Sequence, residues 1–570
     1  MVRSEVSVYG RGGCPVWVNI VLHPVSSKSF LEAFVMDRVL HNGKVYVERG
    51  TYAQAIWMQD DRIKQVGSNE EVLAAAPADS TLVDLGGATV IPGFNDSHLH
   101  MRSFGMSLKV VKLHNSQSMA EIIERGKRFL DEKQLPAGAL LMGRGWNQDY
   151  FLDEQRMPTR HDLDKISTEH PVYYTRACGH AVTVNTKLLE LAGVTADTPQ
   201  PDGGQFEVGD DGQPNGIFYE RANVLFADFL PQPTAETFAD DFRAAMEYAA
   251  SMGVTTVNSN DTNAETYEEI FKACALLRER GQFLTRYRAQ CSFIDAEQLK
   301  GFFAKGYKTG WGDELVQVAS IKLLLDGSLG ARTALLRAPY ADDESTTGII
   351  VLEKDVFNEL VRISDENNTS VVTHAIGDGA IEMALDGYDM VIKGGANKNR
   401  HGVVHVQITD TPLLQRFVDS DILALVQPIF IHYDMHMVGD RVGAEMASTS
   451  YAFGTLTRMG VHTSSGTDCP VEDMNPYECV YCAVSRRDLK GKGPYLEGER
   501  VDVETAIDNY TLESAYVSFE EDVVGRLKPG FLADLVVLDA DIFTVPEEDI
   551  LSIRPVATYM GGRLVYQREA

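Results

Sequence analysis

The chain predicts an α/β protein: a (β/α)8 TIM-like barrel with a small β-sandwich domain formed from both chain ends and an insertion near the barrel mouth. Three observations carry this expectation. Eight short apolar runs alternate with helical stretches through the middle of the 570 residues. Turn-punctuated, β-like segments stand at both ends. One connection, between the first and second apolar runs, is too long for an ordinary barrel crossover.

Residues 1–32 are expected to be an N-terminal extension. Their apolar stretch, in "MVRSEVSVYGRGGCPVWVNIVLHPV", lacks the basic start and long apolar segment of a signal peptide. Residues 33–90 and 520–570 are expected to form one composite β domain. "FVMDRVLHNGKVYV" carries the turn pair Asn42-Gly43, read as a hairpin because both residues tolerate positive φ. Near the other end, "VATYMGGRLVYQ" offers Gly561-Gly562 as a second turn. Residues 91–519 are assigned to the barrel. Its strand signals are "ATVIPGF", "GVTTVNSN", "LTRYRAQCSF", "VASIKLLLDG", "SVVTHAIGD", "HGVVHVQ", "DILALVQPIF" and "GVHTSSGTD". Helices are expected over 235–252, 264–280 and 356–367. Residues of about 104–231 form the insertion, expected to cover part of the mouth. No Gly-rich phosphate loop follows an early strand, which argues against a doubly wound nucleotide-binding sheet.

The totals narrow the partners. With 82 acidic and 52 basic residues the formal net charge is -30, which repels nucleic acid and anionic membrane surfaces. No apolar run approaches a membrane span. Seven scattered cysteines do not resemble a disulfide framework, so a reducing, cytoplasmic setting is expected. Cys479 and Cys482 form a lone CxxC, read as helix packing. The expected partner is a small-molecule substrate. A homodimer is in keeping with barrels of this kind.

The stretch "IPGFNDSHLHM" ends an apolar run in two histidines separated by one residue. In an extended chain such side chains share a face, so His98 and His100 project together. Paired imidazoles suit a transition metal such as zinc, although a lone His-x-His serves equally well as polar loop chemistry. The other strand signals tip the balance. Lys322, His374, His405 and Asp468 each stand near the end of an apolar run. In a barrel those ends converge on the active face.

The chain resembles the amidohydrolase superfamily, and within it amidohydrolase family 3, the YtcJ-like metal-dependent hydrolases. The resemblance covers roughly residues 34–567. It rests on "PGFNDSHLH", "GHAVTVNTKLLELAG", "IKLLLDGSLGARTALL", "THAIGDGAI", "SSGTDCPVEDMNP" and "GRLKPGFLADLVVLDAD". It implies one divalent metal held by His98, His100 and Asp468, and a second held by His374 and His405. Lys322 stands where the family can carry a carboxylated, metal-bridging lysine, and Asp326 or Glu220 could supply that carboxylate instead. The metal is expected to be zinc, at one or two per chain.

Likeness to the family also implies that His180 reaches from the insertion toward substrate, the alternative being a helix-capping or core histidine. Trp146, Arg332 and His432 are substrate-binding candidates. Against these stand core packing for Trp146, pairing with Asp326 for Arg332 and an exposed loop position for His432. Tyr150 and Tyr433 are weaker mouth-lining candidates, and Asp378 reads as a helix cap. The expected activity is hydrolysis of a C–N bond in an N-acyl or N-formyl amine or a cyclic amide. In it Asp468 moves the proton and metal-activated water attacks. The alternatives are a non-catalytic barrel relative that binds or assembles, and a metal-dependent enzyme acting on a non-amide bond.

Overall fold

The computed structural model describes residues 4–9, 15–20, 37–178, 180–392 and 396–569, the first two segments by backbone alone. Cys14 and most of the expected N-terminal extension lie outside the described residues. The chain divides into two compact units: residues to Met101 together with those from Phe242 onward, and Arg102–Asp241.

In the first unit, eight parallel strands pair in chain order: β1 Phe94–Leu99, β2 Val254–Asn263, β3 Arg286–Ser292, β4 Val316–Leu324, β5 Ser370–Ala375, β6 Gly402–His405, β7 Leu423–Val426 and β8 Thr463–Ser465. Seven of them, β2–β8, coincide with the apolar runs of the sequence; the first run, "ATVIPGF", instead supplies the sandwich strand Thr89–Pro92, and β1 is the more polar "FNDSHL" that follows it. Strands covered on both faces need apolar side chains at nearly every position, so β6 and β7 are buried throughout. The register sets Ser292 beside Lys322, Leu324 beside His374, and Ala375 beside His405. The seam between β8 and β1 closes through the loop after β8. Asp468 N–H donates to the His98 carbonyl at 2.9 Å, and His100 N–H donates to the Cys469 carbonyl at 2.7 Å.

The helices follow the expected periodicity. Lys354–Glu366 buries Phe357, Leu360, Val361 and Ser364, a single face at helical spacing. Thr411–Asp419 begins where the Asp410 carboxylate accepts the Leu413 N–H, with Pro412 in the first turn. Beneath the barrel, two buried arginines of β3 hold carboxylates in two-point contacts. Arg286 binds Asp534 at 2.8 and 3.0 Å, and Arg288 binds Glu520 at 2.6 and 2.7 Å. A guanidinium can remain charged in such surroundings when its forked N–H groups meet both carboxylate oxygens.

Two further sheets in this unit interleave the chain ends. In the six-stranded sheet Leu535–Leu538 runs between Thr89–Pro92 and Pro555–Met560. The four-stranded sheet comprises Arg62–Gly67, Ala55–Gln59, Asp37–His41 and Thr81–Asp84. Leu40, Ile56 and Met58 of the smaller sheet pack with Val45, Val90 and Leu535 of the larger, giving the sandwich its core. Gly561-Gly562 makes the expected tight turn, both residues at positive φ, between paired strands. Asn42-Gly43 does not make a hairpin. Asp37–His41 and Lys44–Glu48 belong to different sheets, so this turn is a corner between layers. Asn42 adopts φ 58°, a conformation that serves a corner as well as a hairpin, and the dipeptide alone does not distinguish them.

The second unit has its own six-stranded sheet, in the order Val111–Lys112, Leu141–Trp146, Val172–Arg176, Ala181–Val184, Pro214–Glu220, Gly204–Val208. Its core divides into a cluster with Leu113, Ile122, Leu141 and Tyr174 and another with Val182, Phe206, Phe218 and Phe226. Among the described residues no helix is long and apolar enough to cross a membrane.

Candidate metal centre

Four imidazoles and one carboxylate meet at the C-terminal ends of the barrel strands. His98 stands near the end of β1 and is fully buried, while His100 follows the strand directly and is partly open. His374 comes from β5, His405 from the last position of β6, and Asp468 from the loop after β8. The carboxylate oxygen Oδ1 of Asp468 lies 3.5 Å from His98 Nε2 and 3.2 Å from His100 Nε2. Ligand-competent atoms of these three residues all fall within 4.8 Å of one another. The rings of His98 and His405 are 5.8 Å apart, and those of His405 and His374 4.4 Å apart.

Each ring is held by its Nδ1. His98 meets the Gln290 amide oxygen at 2.6 Å, and His100 the Asn260 carbonyl at 2.8 Å. His374 meets Asp326 Oδ1 at 3.0 Å, and His405 the Gln427 amide oxygen at 2.7 Å. Every partner is an acceptor, so each Nδ1 carries a proton, and in the neutral ring Nε2 keeps its lone pair. Outer acceptors of this kind set the tautomer and ring orientation that metal ligation needs.

The fit to a cation follows from what then faces what. The Nε2 atoms of His98 and His100 both point at one carboxylate oxygen, Asp468 Oδ1. His405 Nε2 and Asp468 Oδ1 are both buried without a hydrogen-bond partner. Such atoms are costly to bury unless something positive satisfies them. Burial, reinforced by Lys322 for His98 and by His374 for His405, holds both histidines well below the ordinary imidazole range, in the neutral form a metal requires. Burial also opposes protonation of His100, yet Asp468, Asp261 and the Asn260 carbonyl together outweigh it and raise its pKa. The donor set of histidine nitrogen and carboxylate oxygen fits zinc and related divalent ions.

Lys322 lies on β4, buried, with its pKa lowered to about 7 by loss of solvent, against the opposing pull of Asp468 and Asp326. Asp326, weighed above as a bridging carboxylate, has another occupation. Besides His374 it accepts backbone N–H groups of Leu335, Ile376 and Gly377, so both oxygens are engaged away from the ligand cluster.

A further carboxylate locks the seam. Asp96, on the same face of β1 as His98, accepts the Tyr510 hydroxyl at 2.7 Å and both the N–H and hydroxyl of Thr467. Burial, only partly offset by these donors, raises its pKa to about 6. Gly466 lies so close to this pair that a Cβ would sit 2.8 Å from both Asp96 Oδ1 and His98 N. Asp468 at φ 56° and His405 at φ 84° both adopt left-handed backbone, a strain that structures retain at functional positions. Gln290, Gln427, Asn260 and Asp96 were missed in the sequence; Gln290 and Gln427 each interrupt an apolar run, whereas Asn260 and Asp96 stand among other polar residues.

The remaining candidates scatter. His180 and Glu220 lie in the second unit, both exposed, with His180 Nδ1 3.0 Å from Glu220 Oε2, a contact that raises the histidine pKa. Trp146 is fully buried in that unit's core with Leu113 and Leu141, so it packs the insertion and is not a surface for substrate. Tyr150 nearby is exposed. Arg332 does not pair with Asp326; its guanidinium grips Asp342 at 2.9 and 3.0 Å. His432 is 3.3 Å from Glu472, which raises its pKa despite partial burial, and Tyr433 beside it is exposed. Asp378 is no cap. It is the first residue of its helix, and its carboxylate binds Arg337 at 2.7 Å. Cys479 and Cys482 are buried in the helix Pro476–Ser485, as packing requires.

Comparison with known proteins places this geometry. The model of the family described as "Amidohydrolase family" matches residues 81–566. YtcJ of Bacillus subtilis (strain 168), named as an amidohydrolase, is 31% identical over 548 residues, covering 94% of this chain and all of that one. The N-substituted formamide deformylase of Arthrobacter pascens is 25% identical over 535 residues, covering 91% and 96% of the two chains. Among solved structures, an uncharacterized metal-dependent hydrolase from Pyrococcus furiosus is 30% identical. It superposes with a TM-score of 0.71 over 89% of this chain and all of its own.

Proposed function

The chain belongs to the amidohydrolase family, and from that premise we propose that this hydrolase cleaves the C–N bond of an N-acyl or N-formyl amine, or of a cyclic amide, using zinc. The observation that carries the proposal is the convergence of the His98 and His100 Nε2 atoms on the Asp468 carboxylate, whose Oδ1 is buried without a hydrogen-bond partner, as is His405 Nε2. The similarity to a deformylase of N-substituted formamides supports an amide over other bonds.

His98, His100 and Asp468 would hold one metal, and His374 and His405 a second. Lys322 would bridge them after its neutral amine adds carbon dioxide, forming an N–C bond and releasing one proton. Its depressed pKa favours that step, since only the unprotonated amine is nucleophilic. Metal bound here would supply water ionised near neutral pH, its pKa lowered from about 16 to about 7, and would polarise the substrate carbonyl. The residues do the rest. Asp468 Oδ1 receives the proton of the attacking water and returns it to the departing amine nitrogen, which leaves as a neutral amine beside the new carboxylic acid. Gln290, Gln427, Asp326 and the Asn260 carbonyl keep the four rings from turning during the cycle.

The test is elemental analysis of protein purified without chelators or a metal-binding tag, beside an amine-release assay on N-substituted formamides, N-acyl amines and cyclic amides. About two metal equivalents, falling to one or fewer in Lys322→Ala, with amine released in parallel, is the expected result. Metal-loaded protein that releases amine from none of these classes would overturn the amide reading.

A further inference from the structure

Charged groups at the mouth on the β4 side are spent on one another, while its apolar side chains are open. Arg332 and Arg441 both bind Asp342. Arg337 binds Asp378 and Asp410. By contrast Ile294, Leu324, Ile349, Ile350 and Val351 are exposed by 75, 39, 48, 49 and 50%. A run of open aliphatic side chains at one rim is unusual enough to call for an occupant.

Their placement connects them to the ligand cluster. Leu324 is two residues beyond Lys322 on β4, so the two side chains share a face, with Leu324 nearer the strand's C-terminal end. It is also the register partner of His374. Val351 N–H donates to the Leu325 carbonyl at 2.8 Å, and Leu325 N–H to the His374 carbonyl at 3.1 Å, so Val351 is tied to the site through two backbone bonds. Ile294 lies two residues past Ser292, which is paired with Lys322 in the register. Its neighbour Phe293 is buried among Tyr267 and Phe302 of the outer helices, which leaves Ile294 away from that layer. On the other side of the cluster Phe430 stacks parallel on His405 at 5.9 Å, adding an apolar surface against a ligand ring.

Resting on the amide reading above, we propose that the enzyme selects substrates bearing an extended apolar substituent, which lies against Leu324, Val351 and Ile294 while the scissile group occupies the histidine cluster. A carboxylate or phosphate on that substituent finds no unpaired arginine among Arg332, Arg337 and Arg441. An aliphatic chain covers exposed hydrocarbon and gains for each methylene it brings out of water.

The experiment uses metal-loaded full-length protein and two ligand series. One is N-alkylformamides from N-methyl to N-hexyl, read as kcat/KM. The other is straight-chain alkanehydroxamates from two to eight carbons, whose head binds metal whatever bond the enzyme cleaves, read as Kd by calorimetry. The expected result is a rise of about threefold per methylene in both series. That slope should flatten in Leu324→Ser and Val351→Ser and be restored in Leu324→Met. Hydroxamate affinity that rises with length and depends on Leu324, without formamide cleavage, would keep this inference and remove the amide reading. Formamide cleavage with no length dependence, or a slope unchanged in both serine variants, would overturn it.

Discussion

His98 and Asp468 meet twice: the His98 carbonyl accepts the Asp468 N–H at 2.9 Å, and their side chains face each other at 3.5 Å. One backbone bond across the seam therefore fixes the spacing of two proposed ligands that are far apart in sequence. The ligand distance is set by barrel closure, and disturbing the closure disturbs the site.

Gly466→Ala tests this directly. The added methyl would lie 2.8 Å from both Asp96 Oδ1 and His98 N, and neither backbone nor buried carboxylate can yield easily. The variant should keep its circular dichroism spectrum and lose at least half its bound metal, with kcat/KM down on the order of a hundredfold. Full metal content and activity would show that the seam tolerates slack.

Gln290→Leu and Gln427→Leu each remove the acceptor that orients a ligand ring. Loss of one such partner is expected to weaken metal affinity by about 10–100-fold, measured by competition with a chromogenic chelator. Substitution by Glu keeps an acceptor and should cost less than Leu.

The Glu520 carboxylate holds fully buried Arg288 by two bonds. Glu520→Ala leaves that guanidinium without its counter-charge, and chemical denaturation should show a loss of about 3–5 kcal/mol. Replacing both residues, Arg288→Met with Glu520→Leu, should recover most of it.

Asp434 supplies a pH-dependent test. Burial, assisted by Glu472 and opposed by the Tyr451 hydroxyl bond, raises its pKa from 3.8 to about 6. The folded state therefore holds this proton where the unfolded chain has released it. By linkage the group makes stability fall as pH rises from about 4 to about 6, and the cost persists above that. Asp434→Asn, which can still accept from Tyr451, should be more stable than the parent at pH 7 by about 1–2 kcal/mol, after allowance for partial exposure. The two proteins should converge below pH 4, as urea titrations at each pH will show.

The legible parts of this protein were those whose physics is local. A buried parallel strand is mostly apolar along its length, so β2–β7 announced themselves as runs, and a polar residue near the end of such a run marked His374 and His405; β1, polar at four of its six positions, was marked instead by its His-x-His pair. Asn42-Gly43 was misread because positive φ is a local property, whereas the sheet each flanking strand joins is decided elsewhere. Trp146 was misjudged because an aromatic residue at a strand end serves core or surface equally well, and only the packing of the insertion buries it.

By itself, then, the sequence determined the barrel, the composite sandwich and the residue types able to hold a metal, since strand burial and side-chain chemistry are written into each segment. Tertiary structure alone decided which acceptor turns each imidazole. The Gln290 amide that orients His98 comes from 192 residues away, and the Asp96 carboxylate that meets Thr467 from 371. Such pairings depend on strand order and seam closure, long-range geometry that no local pattern encodes. For that reason the candidate ligands could be named from the chain, while the acceptor that orients each ring could not.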